Sequence, residues 1–298
     1  MKKTIYAIIL NYNNARDTIE CIDSFFSIKE FNMQLIIVDN ASEEKYVDEI
    51  EEHISGIDNI ELIVNRVNLG YAGGNNVGIR HAVAQGAEYI AIVNNDVIVN
   101  KDSFTECVKI LDTDESVAFV GPTILEYGSD LIQYTGGTIN FNKLTSPHIN
   151  SKMEYRKQDR RISCDYVGGA CMMFKKGIID EIGYIPEVYF LFWEETEWCY
   201  KAKQIGKKCI CTLNGSIAHK GSSSVKKIKG LEAYYLERNR VLFSIRNDHD
   251  KFRRSRSIFI LCLKAFVKGF IRDRVYFGYL VYYFDGIRNK DRFRSRDM

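Results

Sequence analysis

The chain has 298 residues, of which 46% are hydrophobic, 27% are charged and only 3 are prolines. This composition is typical of a soluble globular protein with a sizeable core, and it excludes an intrinsically disordered chain or long proline-rich linkers. The net charge of +2 is unevenly distributed: residues 251–298 carry 13 basic and 4 acidic side chains, whereas the preceding 250 residues carry 28 and 35. The C-terminal tail is therefore electrostatically distinct from the body.

Strands and helices are predicted to alternate over the first 120 residues. The predicted strands are TIYAIIL, QLIIVDN, IELIV, EYIAIVNND and VAFVG, and the helices between them are ARDTIECIDSFFS, EEKYVDEIEEHI, NNVGIRHAVAQG and KDSFTECVKILD. This alternation predicts an α/β fold with a mostly parallel, Rossmann-like sheet and helices on both faces. The first apolar run is too short for a secretory signal, and the eight cysteines contain no C-x-x-C pair. We therefore expect a cytoplasmic protein without a structural zinc site.

Polar side chains follow three of the predicted strands. Asn11 and Asn13 follow the first strand, Asp39 and Asn40 follow the second, and Asn94, Asn95 and Asp96 follow the fourth. The carboxyl ends of parallel strands meet at one edge of a sheet, where α/β proteins bind ligands. An unpaired carboxylate directly after a buried strand, such as Asp96, is costly. Each of these residues could be an ordinary turn residue, but together they favour a binding site.

A glycine-rich stretch, NLGYAGGNNVG, occupies residues 68–78. It has neither the G-x-G of a dinucleotide-binding loop nor the G-K-[ST] of a phosphate-binding loop. Its glycines predict a tight loop ahead of a helix, in which the backbone can approach a ligand closely.

The second half of the chain contains a cluster of acidic residues and an isolated histidine. SCDYVGGACMMFKK predicts a strand interrupted by two glycines, and FWEETEWCYKAKQIG places Glu194, Glu195 and Glu197 at the start of a helix. Such acidic residues can simply complement the helix dipole, but a carboxylate beside aromatic surface is often tuned for proton transfer. SIAHKGSSS ends a short strand with His219 in a polar loop, where a structural and a functional role are equally expected.

Seven stretches, in order along residues 4–247, resemble a known family: ILNYNN, IIVDNAS, NLGYAGGNNVGI, NNDV, DYVGGACMMF, FWEETEWCYKAKQIG and AHKGSSS. The chain resembles the family 2 glycosyltransferases with a GT-A fold, most closely the rhamnosyltransferase-like branch. The resemblance implies a glycosyltransferase domain over residues 1–250, with a nucleotide-binding half (1–121) and an acceptor and catalytic half (122–250). A helical, basic and aromatic extension (251–298) would follow.

The resemblance also implies a nucleotide site and a metal site. Nucleotide binding is expected of Asn11, Asn13, Asp39, Asn68, Gly70, Asn75 and Asn95, and the Asp39 carboxylate suits the N3–H of uracil or thymine. Asp96 would hold a divalent metal, Mg²⁺ or Mn²⁺, that bridges the diphosphate, with His219 as a second ligand. Asn94 and Asn95 replace aspartates that many family members carry in this motif, so that only one motif carboxylate is left.

The acidic cluster matches the position of the family's catalytic base. Glu195 would accept a proton from an acceptor hydroxyl in an inverting transfer, whereas Glu197 is expected to face the body or a basic partner. The family usually has aspartate at both positions, so the longer glutamate changes the geometry of the base. Contacts with the donor or acceptor sugar are expected of Gly168, Gly169, Trp193 and Glu194.

The tail contains two apolar stretches with basic residues among them. IFILCLKAFVKGFI is interrupted by Lys264 and Lys268, which makes it a poor membrane span, and VYFGYLVYYF has six aromatic residues in ten. Basic charge beside aromatic residues predicts a contact in the plane of an anionic membrane. A helical hairpin that packs on the body or on a second copy of the chain, as in a homodimer, fits the same pattern.

The function that these expectations favour is transfer of a sugar from a dTDP- or UDP-sugar, with rhamnose suggested by the resemblance alone. The acceptor would be a glycan or lipid-linked glycan of cell-surface polysaccharide synthesis, and no nucleic acid partner is expected. The enzyme would be cytoplasmic or peripheral at the inner face of the cell membrane. A catalytically weak sugar-nucleotide-binding protein and a nucleotidyltransferase remain as alternatives.

Overall fold

The fold is taken from a computed structural model, which describes residues 2–221 and 230–294. The predicted serine loop after His219, Ser222–Ser224, lies outside the described residues.

The first half contains β1 (Thr4–Asn11), α1 (Ala15–Phe25), β2 (Asn32–Asp39), α2 (Glu44–Ile54), β3 (Ile60–Val64), α3 (Gly70–Ala84), β4 (Tyr89–Asn94), β5 (Val97–Val99), α4 (Thr105–Thr113) and β6 (Val117–Glu126). The second half contains β7 (Ile132–Tyr134), β8 (Arg161–Cys164), β9 (Cys171–Lys175), α5 (Gly177–Ile182), α6 (Glu194–Gln204), β10 (Lys208–His219), α7 (Leu231–Asn247), α8 (Lys251–Ile271) and α9 (Val275–Ile287).

The strands form one sheet in the order β3-β2-β1-β4-β9-β6-β10-β5, with β7 beside β6 and β8 beside β10. Strands β3, β2, β1 and β4 are parallel, as are β6 and β10, so the predicted α/β fold with a mostly parallel sheet is confirmed. The second half of the chain adds antiparallel strands to this frame. Strand β9 is inserted between β4 and β6, and β5 pairs with β10. These insertions bring residues of the second half to the carboxyl ends of β1, β2 and β4.

Helices cover both faces of the sheet because each strand buries side chains on alternate sides. On β1, Ile5 and Ile9 pack into the core layer beneath α1, α2 and α4, whereas Ile8 packs into the layer beneath α3, α5 and α6. Both layers are almost free of solvent, as expected for a sheet covered on its two faces. Six of the eight cysteines are buried in these layers, as small core residues.

The glycine-rich stretch is helical, so the prediction of a loop over residues 68–78 is wrong. Helix α3 begins at Gly70, and two of its glycines, Gly74 and Gly78, face β1 at very short range. A Cβ atom on Gly78 would lie 2.5 Å from Ile8 Cγ2 and 3.1 Å from Val38 Cγ2. The glycines therefore let α3 pack directly on β1 and β2, which outweighs their low helix propensity.

The C-terminal extension forms the predicted helical hairpin. Helix α9 packs on α7, where Tyr283 and Val241 are buried together, and α8 packs beside α9 through Ala265. Gly269 of α8 lies against the ring of Phe277. Within the two described segments, no helix is long and apolar enough to span a membrane.

We expect Gly78→Ala to lower the free energy of unfolding by about 1–3 kcal/mol, since its methyl group would overpack the contact with Ile8 and Val38. Urea denaturation measures this change. Gly177→Ala is the matched control, because nothing lies within 4 Å of its added Cβ atom, and its effect should stay within about 0.5 kcal/mol. Equal midpoints for the two variants would contradict the close packing of α3.

Candidate active site

A cavity of about 420 Å³ opens at the carboxyl ends of β1, β2 and β4. Ten of the predicted site residues line it: Asn68, Gly70, Asn95, Asp96, Gly168, Gly169, Trp193, Glu194, Glu195 and His219. Four others, Asn11, Asn13, Asp39 and Asn75, are absent from its described lining. The sheet topology thus brings the two halves of the predicted site to one place, although residues such as Asp96 and His219 are far apart in sequence.

Asn11 and Asp39 form a fully buried polar network behind the cavity wall. The Asp39 carboxylate accepts hydrogen bonds from Asn11 Nδ2 at 2.7 Å, Ser42 Oγ at 2.6 Å and the Ser42 backbone N–H at 2.8 Å. Asn11 Oδ1 accepts a bond from Thr18 Oγ1 at 2.9 Å. Both residues therefore join the ends of β1 and β2 to their neighbours. A direct contact between Asp39 and a nucleobase would require part of this network to rearrange.

Asn13 and Asn75 also serve the local structure. Asn13 accepts a bond from the Glu43 backbone N–H at 2.9 Å, and Asn75 donates to the Tyr71 carbonyl at 2.9 Å.

The loop ahead of α3 depends instead on Asn40, which we did not include among the predicted site residues. Asn40 Nδ2 donates to Asn68 Oδ1 at 2.8 Å and to the Gly70 carbonyl at 3.1 Å. Asn40 lines the cavity and supports the segment that carries Asn68 and Gly70.

Asp96 and His219 face each other at one end of the cavity. His219 Nε2 lies 3.1 Å from Asp96 Oδ1, but in a direction that makes no hydrogen bond, so this buried nitrogen lacks a hydrogen-bond partner among the described residues. The other ring nitrogen, Nδ1, donates to Gln133 Oε1 at 2.7 Å. This bond leaves Nε2 available in the cavity beside the Asp96 carboxylate. A ring nitrogen and a carboxylate oxygen this close together suit a shared cation.

The pairing of β5 with β10 creates this arrangement. His219 stands opposite Val97 in the antiparallel ladder, and the Lys220 backbone N–H donates to the Asp96 carbonyl at 3.0 Å. The Lys220 side chain does not enter the cavity lining, since it forms ion pairs with Asp17, at 2.8 Å, and with Glu20.

Glu194 and Glu195 form a pair of carboxyl groups at the start of α6, and both line the cavity. Burial and the adjacent charge of Glu195 raise the pKa of Glu194 well above its ordinary value. Burial also raises the pKa of Glu195 to about 7, although backbone N–H groups of Glu195 and Thr196 oppose this effect. One oxygen of each carboxyl group is buried without a hydrogen-bond partner among the described residues. A carboxyl group in this state is well placed to exchange a proton near neutral pH.

Glu197, three residues further on, has a different environment. Its carboxylate accepts hydrogen bonds from Arg246 Nε and Nη2, from Tyr189 OH at 2.6 Å and from Asn247 Nδ2 at 2.8 Å. Burial acts to raise the pKa of Glu197, but these hydrogen bonds outweigh it and hold the pKa below its ordinary value. The expectation that Glu197 faces a basic partner is confirmed, and that partner is Arg246 of α7.

The segment ahead of the carboxyl pair has an unusual backbone. Phe192 and Trp193 have φ angles of 65° and 78°, a left-handed conformation that is unfavourable for large side chains. Trp193 is mostly buried and packs on Phe243, with 5.1 Å between the ring centres. Only part of its surface is therefore available as the flat apolar wall that we predicted for a sugar.

Gly168 and Gly169, which are predicted to contact a sugar, lie beside tyrosine rings. A Cβ atom on Gly169 would lie 2.7 Å from Tyr71 OH, and one on Gly168 would overlap the ring of Tyr134. Tyr71 OH donates to the Gly169 carbonyl at 2.7 Å. The space at the Cβ positions of both glycines is thus taken by aromatic side chains of the cavity wall, so a larger residue would not fit at either position.

Residues 6–183, more than half of the chain, match glycosyl transferase family 2. The chain is 27% identical over 245 residues to the low-salt glycan biosynthesis hexosyltransferase Agl10 of Haloferax volcanii. The aligned region covers 80% of this chain and 74% of the relative. It is 24% identical to the dTDP-rhamnosyl transferase RfbF of Shigella flexneri, over 84% of this chain and 82% of the relative.

The fold is similar to solved GT-A structures. The mannosyltransferase PcManGT from Pyrobaculum calidifontis, in complex with GDP-Man and Mn²⁺, superposes with a TM-score of 0.59 at 14% identity, over 97% of this chain and 87% of that one. GalNAc-T7 with UDP, GalNAc and Mn²⁺ gives a TM-score of 0.62 at 14% identity over 80% of this chain. The present chain spans about half of its length, 51%. This chain belongs to glycosyl transferase family 2, and it is a GT-A enzyme that uses nucleotide sugars.

The raised pKa of Glu195 predicts a stability cost at high pH. A carboxyl group whose pKa is raised by folding stabilises the fold at low pH, and this contribution is lost as the pH rises from the ordinary pKa of 4.5 to about 7. Glu195→Gln should therefore raise the melting temperature relative to wild type at about pH 8.5, and raise it by less at about pH 5.5. Calorimetry at the two pH values measures this difference.

Glu197→Gln provides the control of opposite sign. Because the pKa of Glu197 is lowered by its hydrogen bonds, its charged form stabilises the fold, and the variant should melt below wild type at both pH values. A pH-independent effect of Glu195→Gln would show that its carboxyl group titrates normally.

Proposed function

We propose that this enzyme transfers a hexose, with rhamnose as the leading candidate, from a dTDP- or UDP-sugar to a hydroxyl group of a glycan or lipid-linked glycan. The reaction would invert the anomeric centre and would use a divalent metal. The main support is that the Glu194–Glu195 pair and the Asp96–His219 pair line one cavity. The similarity to a named dTDP-rhamnosyl transferase supports the choice of sugar.

A divalent metal fits the charges of the cavity. Its described lining contains the carboxylates Asp96, Glu194, Glu195 and Glu232 and no lysine or arginine. A nucleoside diphosphate would be repelled by this lining unless a cation accompanied it. Asp96 and His219 are the residues that would hold Mg²⁺ or Mn²⁺, and no larger cluster of His, Cys, Asp or Glu occurs in the described parts of the chain. Two protein ligands suit a metal that takes its remaining oxygens from substrate phosphates and water, and the ion would neutralise charge on the leaving diphosphate.

The nucleoside would bind at the end of the cavity formed by Asn40, Asn68 and Gly70. Asn11, Asp39 and Asn95 would act mainly by holding this rim in shape, because their hydrogen bonds run within the protein. Residues that hold the rim rigid reduce the entropy lost when a ligand is bound.

Glu195 would be the general base. Its carboxylate would accept the proton of the acceptor hydroxyl while the hydroxyl oxygen forms a bond to the anomeric carbon. The bond from that carbon to the diphosphate oxygen would break on the opposite face, which inverts the configuration. A pKa of about 7 suits this role, since the base is partly ionised at neutral pH and strong enough to accept a proton.

The C-terminal hairpin would contact an anionic membrane at the inner face of the cell. Helix α8 exposes an apolar stripe of Phe252, Phe259, Leu263, Phe266 and Phe270, which are 48–80% exposed. Arg256 and Lys264 are exposed beside this stripe. Exposed apolar side chains flanked by cations suit the boundary between acyl chains and anionic headgroups. A contact of this kind would bring a lipid-linked acceptor near α7, whose Leu236 lines the cavity.

Transfer is tested by the release of nucleoside diphosphate from a panel of UDP- and dTDP-sugars, with glycan or lipid-linked acceptors, in Mn²⁺ or in EDTA. We expect turnover in Mn²⁺ that EDTA abolishes and that Asp96→Asn removes, because this variant lacks the carboxylate of the metal pair. Glu195→Gln should lower kcat by about 10²- to 10⁴-fold with almost unchanged affinity for nucleoside diphosphate.

Each part of the proposal can fail separately in this assay. Nucleotide binding by calorimetry without turnover would indicate a sugar-nucleotide-binding protein. Turnover that is unchanged by EDTA and by Asp96→Asn would show that Asp96 and His219 do not hold a metal that the reaction needs. Normal turnover of Glu195→Gln beside an inactive Glu194→Gln would show that the base is Glu194 and that its assignment to Glu195 is wrong.

Membrane contact is tested by sedimentation with lipid vesicles. We expect the protein to sediment with vesicles that contain phosphatidylglycerol and to remain in solution with pure phosphatidylcholine. The double variants Phe259→Ser with Leu263→Ser, and Arg256→Glu with Lys264→Glu, should each lose binding. Val67→Ser, at a site that is 61% exposed on the body, should not. A wild-type protein that stays in solution and forms a dimer through Phe259 would show that a second copy covers this stripe.

A further inference from the structure

We propose that Asn239 is a positioning residue that fixes the Glu194–Glu195 pair in the cavity, and that the C-terminal segment Asn289–Lys290 supports it through Arg238. This inference builds on the proposed role of Glu195 and extends it to residues that lie behind the cavity wall. It links the C-terminal extension to catalysis through a continuous set of hydrogen bonds.

The inference starts from the strained turn ahead of α6. Phe192 and Trp193 both have positive φ angles, and each such non-glycine residue costs on the order of 1–3 kcal/mol. The two residues directly precede Glu194, which begins α6. A relaxation of this turn would therefore move the carboxyl pair. Contacts from another part of the structure must hold the turn in place.

Asn239 of α7 supplies these contacts. Its Nδ2 atom donates one hydrogen bond to the Leu191 carbonyl at 2.7 Å and another to the Phe192 carbonyl at 2.9 Å. Both amide protons are thus used on consecutive carbonyl groups of the strained turn. Asn239 is fully buried, so water cannot replace these bonds without a rearrangement.

Arg238 holds the amide of Asn239 in this orientation. Its Nη1 donates to Asn239 Oδ1 at 2.5 Å, its Nε donates to the Lys290 carbonyl at 2.8 Å, and its Nη2 donates to Asn289 Oδ1 at 3.0 Å. Arg238 is only 1% exposed, and all three acceptors are neutral. A buried guanidinium whose partners among the described residues are neutral is a poor source of stability, so its effect is better explained by the geometry that it imposes.

The segment after α9 reaches Arg238 because of two backbone features. Gly286 brings α9 into contact with the Arg238 carbonyl, where a side chain would not fit. Asn289 has a φ angle of 50°, which turns the chain so that both its side chain and the next carbonyl face the guanidinium. The set of bonds therefore runs from the C-terminal segment through Arg238 and Asn239 to the residues that precede Glu194.

The test compares Asn239→Ala with Asn59→Ala. Asn59 also donates to a backbone carbonyl, that of Met33, at 2.8 Å, but it lies away from the cavity. We expect Asn239→Ala to lower kcat about 10- to 100-fold with nucleoside diphosphate affinity within about twofold, since small errors in the placement of a catalytic group slow the reaction strongly. The acid limb of its pH–kcat profile should also move. Asn59→Ala should lower only the melting temperature.

A second readout does not depend on turnover. The gain in melting temperature that Glu195→Gln gives at high pH should shrink on the Asn239→Ala background, because a released carboxyl pair becomes better hydrated. This outcome would support the positioning role even if the enzyme proved inactive with every sugar nucleotide. A lower melting temperature with normal kcat, an unchanged pH profile and an unchanged Glu195→Gln effect would show that Asn239 is only structural.

Asn289 variants test the C-terminal part and avoid the core. Asn289→Gly keeps the left-handed backbone and removes the acceptor of Arg238, so kcat should fall in the same direction as for Asn239→Ala, but by less. Asn289→Asp keeps an oxygen that can accept the hydrogen bond from Arg238, and it adds a negative charge beside the guanidinium. It should therefore retain wild-type kcat and raise the melting temperature. If Asn289→Gly leaves both kcat and the pH profile unchanged, the C-terminal segment has no part in positioning.

Discussion

The candidate active site depends on keeping two adjacent carboxyl groups, Glu194 and Glu195, in a place with little water. Their burial and mutual repulsion oppose this arrangement, as the raised pKa values of both groups indicate. Three features of the surrounding structure oppose relaxation. The first turn of α6 offers backbone N–H groups to its acidic residues. Glu197, one turn further on, fixes the helix to Arg246 of α7. Aromatic side chains exclude water around the turn that precedes the pair.

Helix α7 has a central place in this arrangement, because it meets α6 and the turn before it on one side and the C-terminal hairpin on the other. Along its length, Asn239 contacts the turn before α6 and Arg246 contacts Glu197, whereas Val241 packs on α9. The C-terminal hairpin is therefore part of the structure that supports the candidate site. The same hairpin presents its apolar stripe on α8 outward, so one element can both support the site and offer a surface for contact with a membrane.

Much of the fold could be predicted from the sequence, since runs of apolar residues alternate with amphipathic helices through β6. Strand β9 could not be placed, because its apolar pattern gives no direction or neighbour, and its insertion beside β4 depends on the whole sheet. The glycine-rich stretch was misassigned because glycine usually disfavours helices, whereas here Gly78 allows α3 to contact Ile8. For the site, position at a strand end identified Asp39 correctly as a residue of the polar edge. Whether its side chain faces a ligand or the protein depends on Asn11, which lies 28 residues away in sequence and meets Asp39 only in the folded chain.

Three asparagine or glutamine residues orient groups on other segments, and the sequence indicated these roles for none of them. Asn40 holds the loop ahead of α3, Gln133 orients the ring of His219, and Asn239 holds the turn ahead of α6. Local pattern gives no reason to select one asparagine or glutamine over another, because their partners lie 30 to 86 residues away. Charged residues at strand and helix ends could be selected from the sequence because their chemistry is unusual at those positions. The groups that orient them are neutral and acquire their roles from the fold, which is why Glu194, Glu195, Asp96 and His219 could be selected from the sequence while their supports could not.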